Sequence, residues 1–172
     1  WPKKLPLTIT KNGTLYLLSW FAAKPSVGDI DGDGKDELLI NADYVFGPLL
    51  QKQTFVFAFR ADGSQAPGFP IVTNHSTPIG NGSHALNNPV VVDDLDGDGK
   101  KELIVLTEIS SGFNDNRLLI GVAKQDASGA YVFSSLQPSF PKADGTYFGF
   151  DDEALLGVGD ISGFPAHEIA IL

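Results

Sequence analysis

Cysteine and methionine are both absent from this chain. Without cysteine there is no disulfide framework, no thiolate nucleophile and no cysteine-ligated zinc or iron–sulfur cluster, so the compartment must be argued from something else. Long apolar runs are missing too. Stretches such as Leu118 to Ala123 fall far short of the ~20 residues a spanning helix needs, and no basic segment leads into an apolar one at the N-terminus. Neither membrane insertion nor an intact signal peptide is expected. Basic side chains are scarce: 12 Lys and Arg stand against 21 Asp and Glu, a net charge of −9 that argues against nucleic acid and anionic membranes as partners. A chain of 172 residues that opens on Trp1 and holds no methionine is expected to be a portion of a longer protein. What is present suffices for a core, since 42% hydrophobic content with 10% aromatics is that of a globular domain.

The acids are not spread evenly. Three windows, Asp29 to Glu37, Asp93 to Glu102 and Asp160 to Glu168, hold 12 of the 21, which points to internal repetition rather than a solvated surface. Aligned, they read SVGDIDGDGKDELLI from Ser26, VVDDLDGDGKKELIV from Val91 and GVGDISGFPAHEIAI from Gly157. Asp29, Asp94 and Asp160 lie 65 and 66 residues apart, and Glu37, Glu102 and Glu168 keep those spacings. An aromatic–proline pair recurs with nearly the same period, at Trp1-Pro2, Phe69-Pro70 and Phe140-Pro141. The repeats are therefore 1–68, 69–139 and a truncated 140–172, within one domain.

Each repeat carries short runs of Val, Ile, Leu and Phe broken by Gly, Asn and Asp, and nothing reads as a long helix. The pattern predicts strands over 25–28, 37–41 and 54–60 in the first repeat, with Ala61-Asp62-Gly63 as a turn. In the second it predicts strands over 89–93, 101–107, 117–124 and 129–134. About four strands per ~65 residues is the signature of a β-propeller blade, so the fold expected is all-β, with about two and a half four-stranded antiparallel blades.

The loop D-x-D-x-D-G-x-x-E occurs twice in full, at Asp29–Glu37 and Asp94–Glu102. Carboxylates at alternate positions converge only if the backbone curls around a point, and the position-6 glycines, Gly34 and Gly99, permit that turn. Such groups repel one another unless a cation joins them. A hard divalent ion would take side-chain oxygens from Asp29, Asp31, Asp33 and Glu37 with the Lys35 carbonyl, and from Asp94, Asp96, Asp98 and Glu102 with the Lys100 carbonyl. Calcium suits a flexible, many-oxygen cage better than magnesium, which gives an expectation of two calcium ions. An EF-hand is excluded because its position-12 Glu is replaced by Ile40 or Val105 and both loops run into strand-like sequence. The third loop keeps Asp160, Ser162 and Glu168 at positions 1, 3 and 9, but Phe164 and Pro165 replace the position-5 acid and the glycine. Proline fixes φ where the turn needs freedom, so this loop is expected to hold no ion.

In these loops the chain resembles the FG-GAP or VCBS repeats, blades that in integrin α-chains carry calcium in a β-hairpin loop written DxDxDGxxD. The Glu-Leu-Leu-Ile and Glu-Leu-Ile-Val strands after the loops fit, and Gly68-Phe69-Pro70 resembles the Gly-Trp-Pro often found between such repeats. Position 9 is Glu here, one methylene longer than the Asp of the family's loop. The resemblance implies an extracellular or cell-surface protein, a non-catalytic binding or adhesion module with a protein or glycan ligand, and a longer propeller of six to eight blades. Closed propellers need at least four blades, so the remainder of a longer propeller is the first partner expected.

Other chemistry is thinly represented. His75 and His84 share a polar segment, 74–88, read as a solvated loop. Asp151, Asp152 and Glu153 form a charge run expected in a solvated turn, and no nucleophile-elbow, Walker or dinucleotide-binding pattern occurs, so no enzymatic activity is expected. Sequons at Asn12, Asn74 and Asn81 are no more informative than chance. Two further roles remain open at this level: an accessory propeller of a secreted hydrolase or polysaccharide-degrading enzyme, and a glycan-binding propeller using aromatics such as Tyr44, Phe113 and Tyr147. Those three do not recur in register and fit packing better.

Overall fold

The computed structural model describes residues 4–20, 24–48, 50–73, 83–85, 88–110, 116–136, 156–160 and 167–171. Its strands are β1 (Thr8–Lys11), β2 (Thr14–Trp20), β3 (Ser26–Gly28), β4 (Glu37–Phe46), β5 (Gln51–Phe59), β6 (Ile71–Val72), β7 (Ser83–Ala85), β8 (Val91–Asp93), β9 (Glu102–Ser110), β10 (Asn116–Gln125), β11 (Tyr131–Leu136), β12 (Leu156–Gly159) and β13 (Glu168–Ile171). The fold is all-β; among the described residues there is no helix, and so none that could cross a membrane.

The first sheet runs β1-β2-β4-β5-β6 with β3 also on β4, the second β11-β10-β9-β7 with β8 also on β9, and the third is the pair β12-β13. Within the first two lie the four-stranded antiparallel units expected of blades, β3-β4-β5-β6 and β8-β9-β10-β11. The extra strands arise because β4 and β9 outrun their first partners. β3 pairs Glu37 to Leu39 of β4 and β2 takes Asp43 to Phe46, just as β8 pairs Glu102 to Ile104 of β9 and β7 takes Thr107 to Ile109.

Strands β1, β2, β6 and β7 escape the sequence pattern. Ser83–Ala85 corrects the reading of 74–88 as one polar loop: its three residues carry no apolar alternation, and the far half of β9 recruits them by backbone pairing. The β1–β2 hairpin turns on Asn12-Gly13, both at positive φ (51° and 76°), as a tight two-residue connection requires.

Alternation along the long strands explains why they read as continuous apolar runs: both faces are buried. Leu103 and Val105 of β9 join Leu39, Val56 and Ala58 of the first blade in one core, while Ile104 and Leu106 join Leu156, Val158 and Ile169 of the third sheet in another. The middle blade is thus sandwiched face to face, as blades stack. On the far side of the first blade Phe55, Phe57, Phe59 and Tyr44 form an aromatic layer with Tyr16. Tyr44 is wholly buried and its hydroxyl donates to the Pro6 carbonyl at 2.8 Å, so it packs and cannot serve as an exposed glycan platform. Burial pushes its pKa up to about 12.

Candidate metal centre

Both acidic loops connect the short first strand of a blade to its long second strand, β3 to β4 and β8 to β9. Glycine at positions 4 and 6 lets the backbone curl: Gly32, Gly34, Gly97 and Gly99 have φ of 76°, 81°, 74° and 85°. The aspartates then fold back onto the amides ahead of them. Asp33 N–H donates to Asp31 Oδ1 and Asp98 N–H to Asp96 Oδ1, both at 3.3 Å; Lys35 N–H donates to Asp33 Oδ1 and Lys100 N–H to Asp98 Oδ1, both at 2.8 Å. Position 1 closes the ring, with Gly34 N–H on Asp29 Oδ2 and Gly99 N–H on Asp94 Oδ2, each at 2.9 Å.

The convergence predicted from spacing is present, though not with every predicted member. In the first loop Asp29, Asp31 and Asp33 offer oxygens all within 4.8 Å of one another; in the second the trio is Asp94, Asp96 and Glu102. Glu37 and Asp98 stand outside these trios. Glu37 and Glu102, the first residues of β4 and β9, are only 1% and 2% exposed. Ile30 N–H donates to Glu37 Oε2 at 3.2 Å and Leu95 N–H to Glu102 Oε2 at 2.8 Å. Burial raises the pKa of both carboxyls against the pull of those amides; Asp31, Asp33 and Asp29 raise Glu37 further, and Asp96 and Asp98 raise Glu102, which Lys124 draws back down.

Two cations that the motif does not contain complete the picture. Arg60 Nη2 lies 2.9 Å from Asp31 Oδ2, and Lys124 Nζ lies 2.6 Å from Asp96 Oδ2. Each basic residue stands at the end of the blade's third strand, Arg60 just after β5 and Lys124 next to last in β10, beside the turns at Arg60–Ser64 and Asp126–Ala130. Along the strand ladders the two are equivalent, since Phe59 pairs with Leu38 and Ala123 with Leu103, but the 65-residue spacing of the loops sets Arg60 against Gln125, so aligning the repeats could not reveal them; knowing which strand end lies beside the loop could.

The residues fit a hard cation. Asp94 Oδ1 is buried with no hydrogen-bond partner, an oxygen that a metal would satisfy and that otherwise costs free energy. Asp29, by contrast, has both oxygens engaged, with Gly32 N–H on Oδ1 at 2.7 Å. At the third loop Asp160, His167 and Glu168 are described, Ser162, Phe164 and Pro165 are not, and no trio of ligating groups forms there among the described residues. His167 instead faces the second blade: its Nδ1 is 2.6 Å from Asp93 Oδ2, which raises its pKa, and its N–H donates to the Leu95 carbonyl at 3.1 Å. His84 sits on β7 opposite Glu108, and Asn12 on an exposed turn. His75, Asn74, Asn81, Phe113, Tyr147, Asp151, Asp152 and Glu153 lie outside the described residues.

Residues 21–54, which span β3, the first acidic loop and β4, match the FG-GAP repeat family. The chain carries an FG-GAP repeat. No curated protein and no solved structure matches the chain. The second loop repeats the first at a 65-residue spacing with the same glycine conformations and the same Asp-to-amide bonds, so the second blade shares the loop geometry of the matched segment.

Proposed function

We propose that this FG-GAP chain is a calcium-stabilised propeller segment of an extracellular protein, acting as a non-catalytic binding or adhesion module. Asp29, Asp31, Asp33 and Glu37 with the Lys35 carbonyl would hold one ion, and Asp94, Asp96, Asp98 and Glu102 with the Lys100 carbonyl a second. The observation that carries this reading is the partnerless buried oxygen of Asp94 inside a converging carboxylate trio. A bound calcium supplies positive charge that cancels carboxylate repulsion and fixes the loop; five protein donors leave little of its shell for a substrate, which favours a structural role. Millimolar calcium, which loops of this kind often need, exists outside cells. The remaining blades of a closed propeller are the first partner, and the biological ligand is a protein or glycan.

Calorimetric titration of chelator-treated protein with calcium tests this. Two equivalents should bind to the native chain, and one to a variant carrying Asp94→Asn with Asp96→Asn. Failure to bind any calcium at millimolar concentration overturns the reading.

A further inference from the structure

The second residue of each acidic loop, Ile30 or Leu95, joins three things through one residue. Its N–H donates to the position-9 glutamate of its own loop. Its side chain enters an inter-blade core, Ile30 fully and Leu95 in part. Its carbonyl is taken by the following blade: the Ile30 oxygen by Gln125 Nε2 at 3.0 Å and the Tyr131 hydroxyl at 2.8 Å, the Leu95 oxygen by His167 N–H at 3.1 Å. Any movement of the glutamate therefore bears on a peptide that also holds two blades together.

Tyr131 goes further. Its hydroxyl is also 3.0 Å from the carbonyl of Lys101, which is position 8 of the second loop and directly precedes Glu102. One half-buried phenol, with its ring held against Phe69 at a centroid distance of 5.7 Å, thus stands between a peptide of the first loop and a peptide of the second. We infer that Tyr131 is a positioning residue that couples the two acidic loops, so that an ion in one favours an ion in the other. This rests on the calcium reading above.

The physical basis is differential contact. The single hydrogen of the hydroxyl can be shared between the two carbonyls only while both loops are curled as described, and each loop must hold converging carboxylates together to stay curled. An ion in the first loop fixes the Glu37–Ile30 peptide and hence the hydroxyl. The hydroxyl then already stands where the Lys101 carbonyl needs it, and the second loop closes at a smaller conformational cost. Linkage makes the effect reciprocal.

The test uses the full chain and calcium alone. Site affinities are measured by calorimetry in the native chain, in a variant with the first loop silenced (Asp29→Asn with Asp31→Asn) and in one with the second silenced (Asp94→Asn with Asp96→Asn). Silencing either loop should weaken calcium binding at the other by about fivefold or more, with the same factor both ways. In a Tyr131→Phe background, which keeps the ring on Phe69, that factor should fall to within about twofold of unity. Gln125→Leu is the companion variant: it removes the side-chain bonds of Gln125 to the Ile30 carbonyl and to Tyr131 but leaves the Tyr131 hydroxyl in place, so the coupling should persist in it. Two ions bound with no effect of silencing, or coupling unchanged by Tyr131→Phe, overturns the inference and leaves the calcium reading standing. Coupling lost equally in Gln125→Leu overturns it as well, because the loss then follows loosening of the blade junction rather than the shared hydroxyl. No calcium bound anywhere removes both.

Discussion

The two full loops share a motif, a register and a backbone, yet they are finished differently. In the first, Asp29 spends both oxygens on glycine amides and the trio is completed by Asp33; in the second, Asp94 keeps a buried oxygen without a partner and the trio is completed by Glu102. Arg60 tethers position 3 in one, Lys124 in the other. The strand entering the first loop ends on Gly28, whose missing side chain makes room for Val92, while the strand entering the second ends on Asp93, which reaches His167. The lesson is that glycine conformation and Asp-to-amide bonds make the curl, whereas the surrounding blade decides which carboxylates close on the centre.

The largest effect expected separates the loops by removing their ions. Calcium at about 100 times Kd stabilises a folded protein by about 2.7 kcal/mol per site, so two sites should contribute about 5 kcal/mol that a chelator abolishes. Silencing one loop should forfeit about half. Because Asp94 has an oxygen in want of a partner, the second-loop variant is expected to lose more than the first. Thermal unfolding with and without calcium checks it, and equal losses would mean that the local differences have no energetic weight.

Smaller is the cost of filling the space at Gly28. A Cβ there would come 2.9 Å from Val92 Cβ, closer than such atoms approach, and the neighbour is a stiff β-branched side chain. Gly28→Val should cost about 1 to 3 kcal/mol. Asp93→Ala at the corresponding position should cost less, since it removes a partly exposed ion pair with His167 and creates no overlap. Denaturant melts of the two variants would rank them.

Much of this was legible in the sequence because it is periodic. The 65-residue repeat placed β3, β4, β8 and β9, and the alternate acids with glycine at position 6 placed the curl and most of the converging carboxylates. What could not be read depends on which elements become neighbours. Ser83–Ala85 is a strand only because β9 is long enough to need a second partner. Arg60 and Lys124 miss each other by one residue at the 65-residue spacing and line up only through the strand ladders, where each meets the same carboxylate. Tyr131 looks like a strand aromatic until its hydroxyl is seen between two loops.

The pH response should distinguish the loops without metal. Glu37 and Glu102 both have raised pKa values, burial being the main cause, so each takes up a proton more readily folded than unfolded. Their contribution is fully present below the ordinary carboxyl value of 4.5 and is lost as pH rises through the raised folded values. In chelator, stability should therefore climb as pH falls from neutrality toward 4.5. Neighbouring aspartates press on both, but Lys124 relieves Glu102, so Glu37→Gln should flatten the slope more than Glu102→Gln. Saturating calcium should reverse the slope, because protons then compete with the ion.

The smallest effect concerns the two tethers. Arg60 and Lys124 are respectively 41% and 47% exposed on their side chains, and exposed ion pairs contribute little to stability. In chelator, Arg60→Ala and Lys124→Ala should each destabilise only slightly, with the difference shrinking in high salt. In calcium the sign should change. A basic group 2.6 to 2.9 Å from a ligating carboxylate competes with the ion for its charge, so removing it should tighten binding at that loop alone. Lys124 is the closer of the two, so its removal should move affinity more than that of Arg60. Site-resolved calcium titration of both variants decides the matter: weaker binding in either would make the tether a support that orients the aspartate rather than a competitor for it.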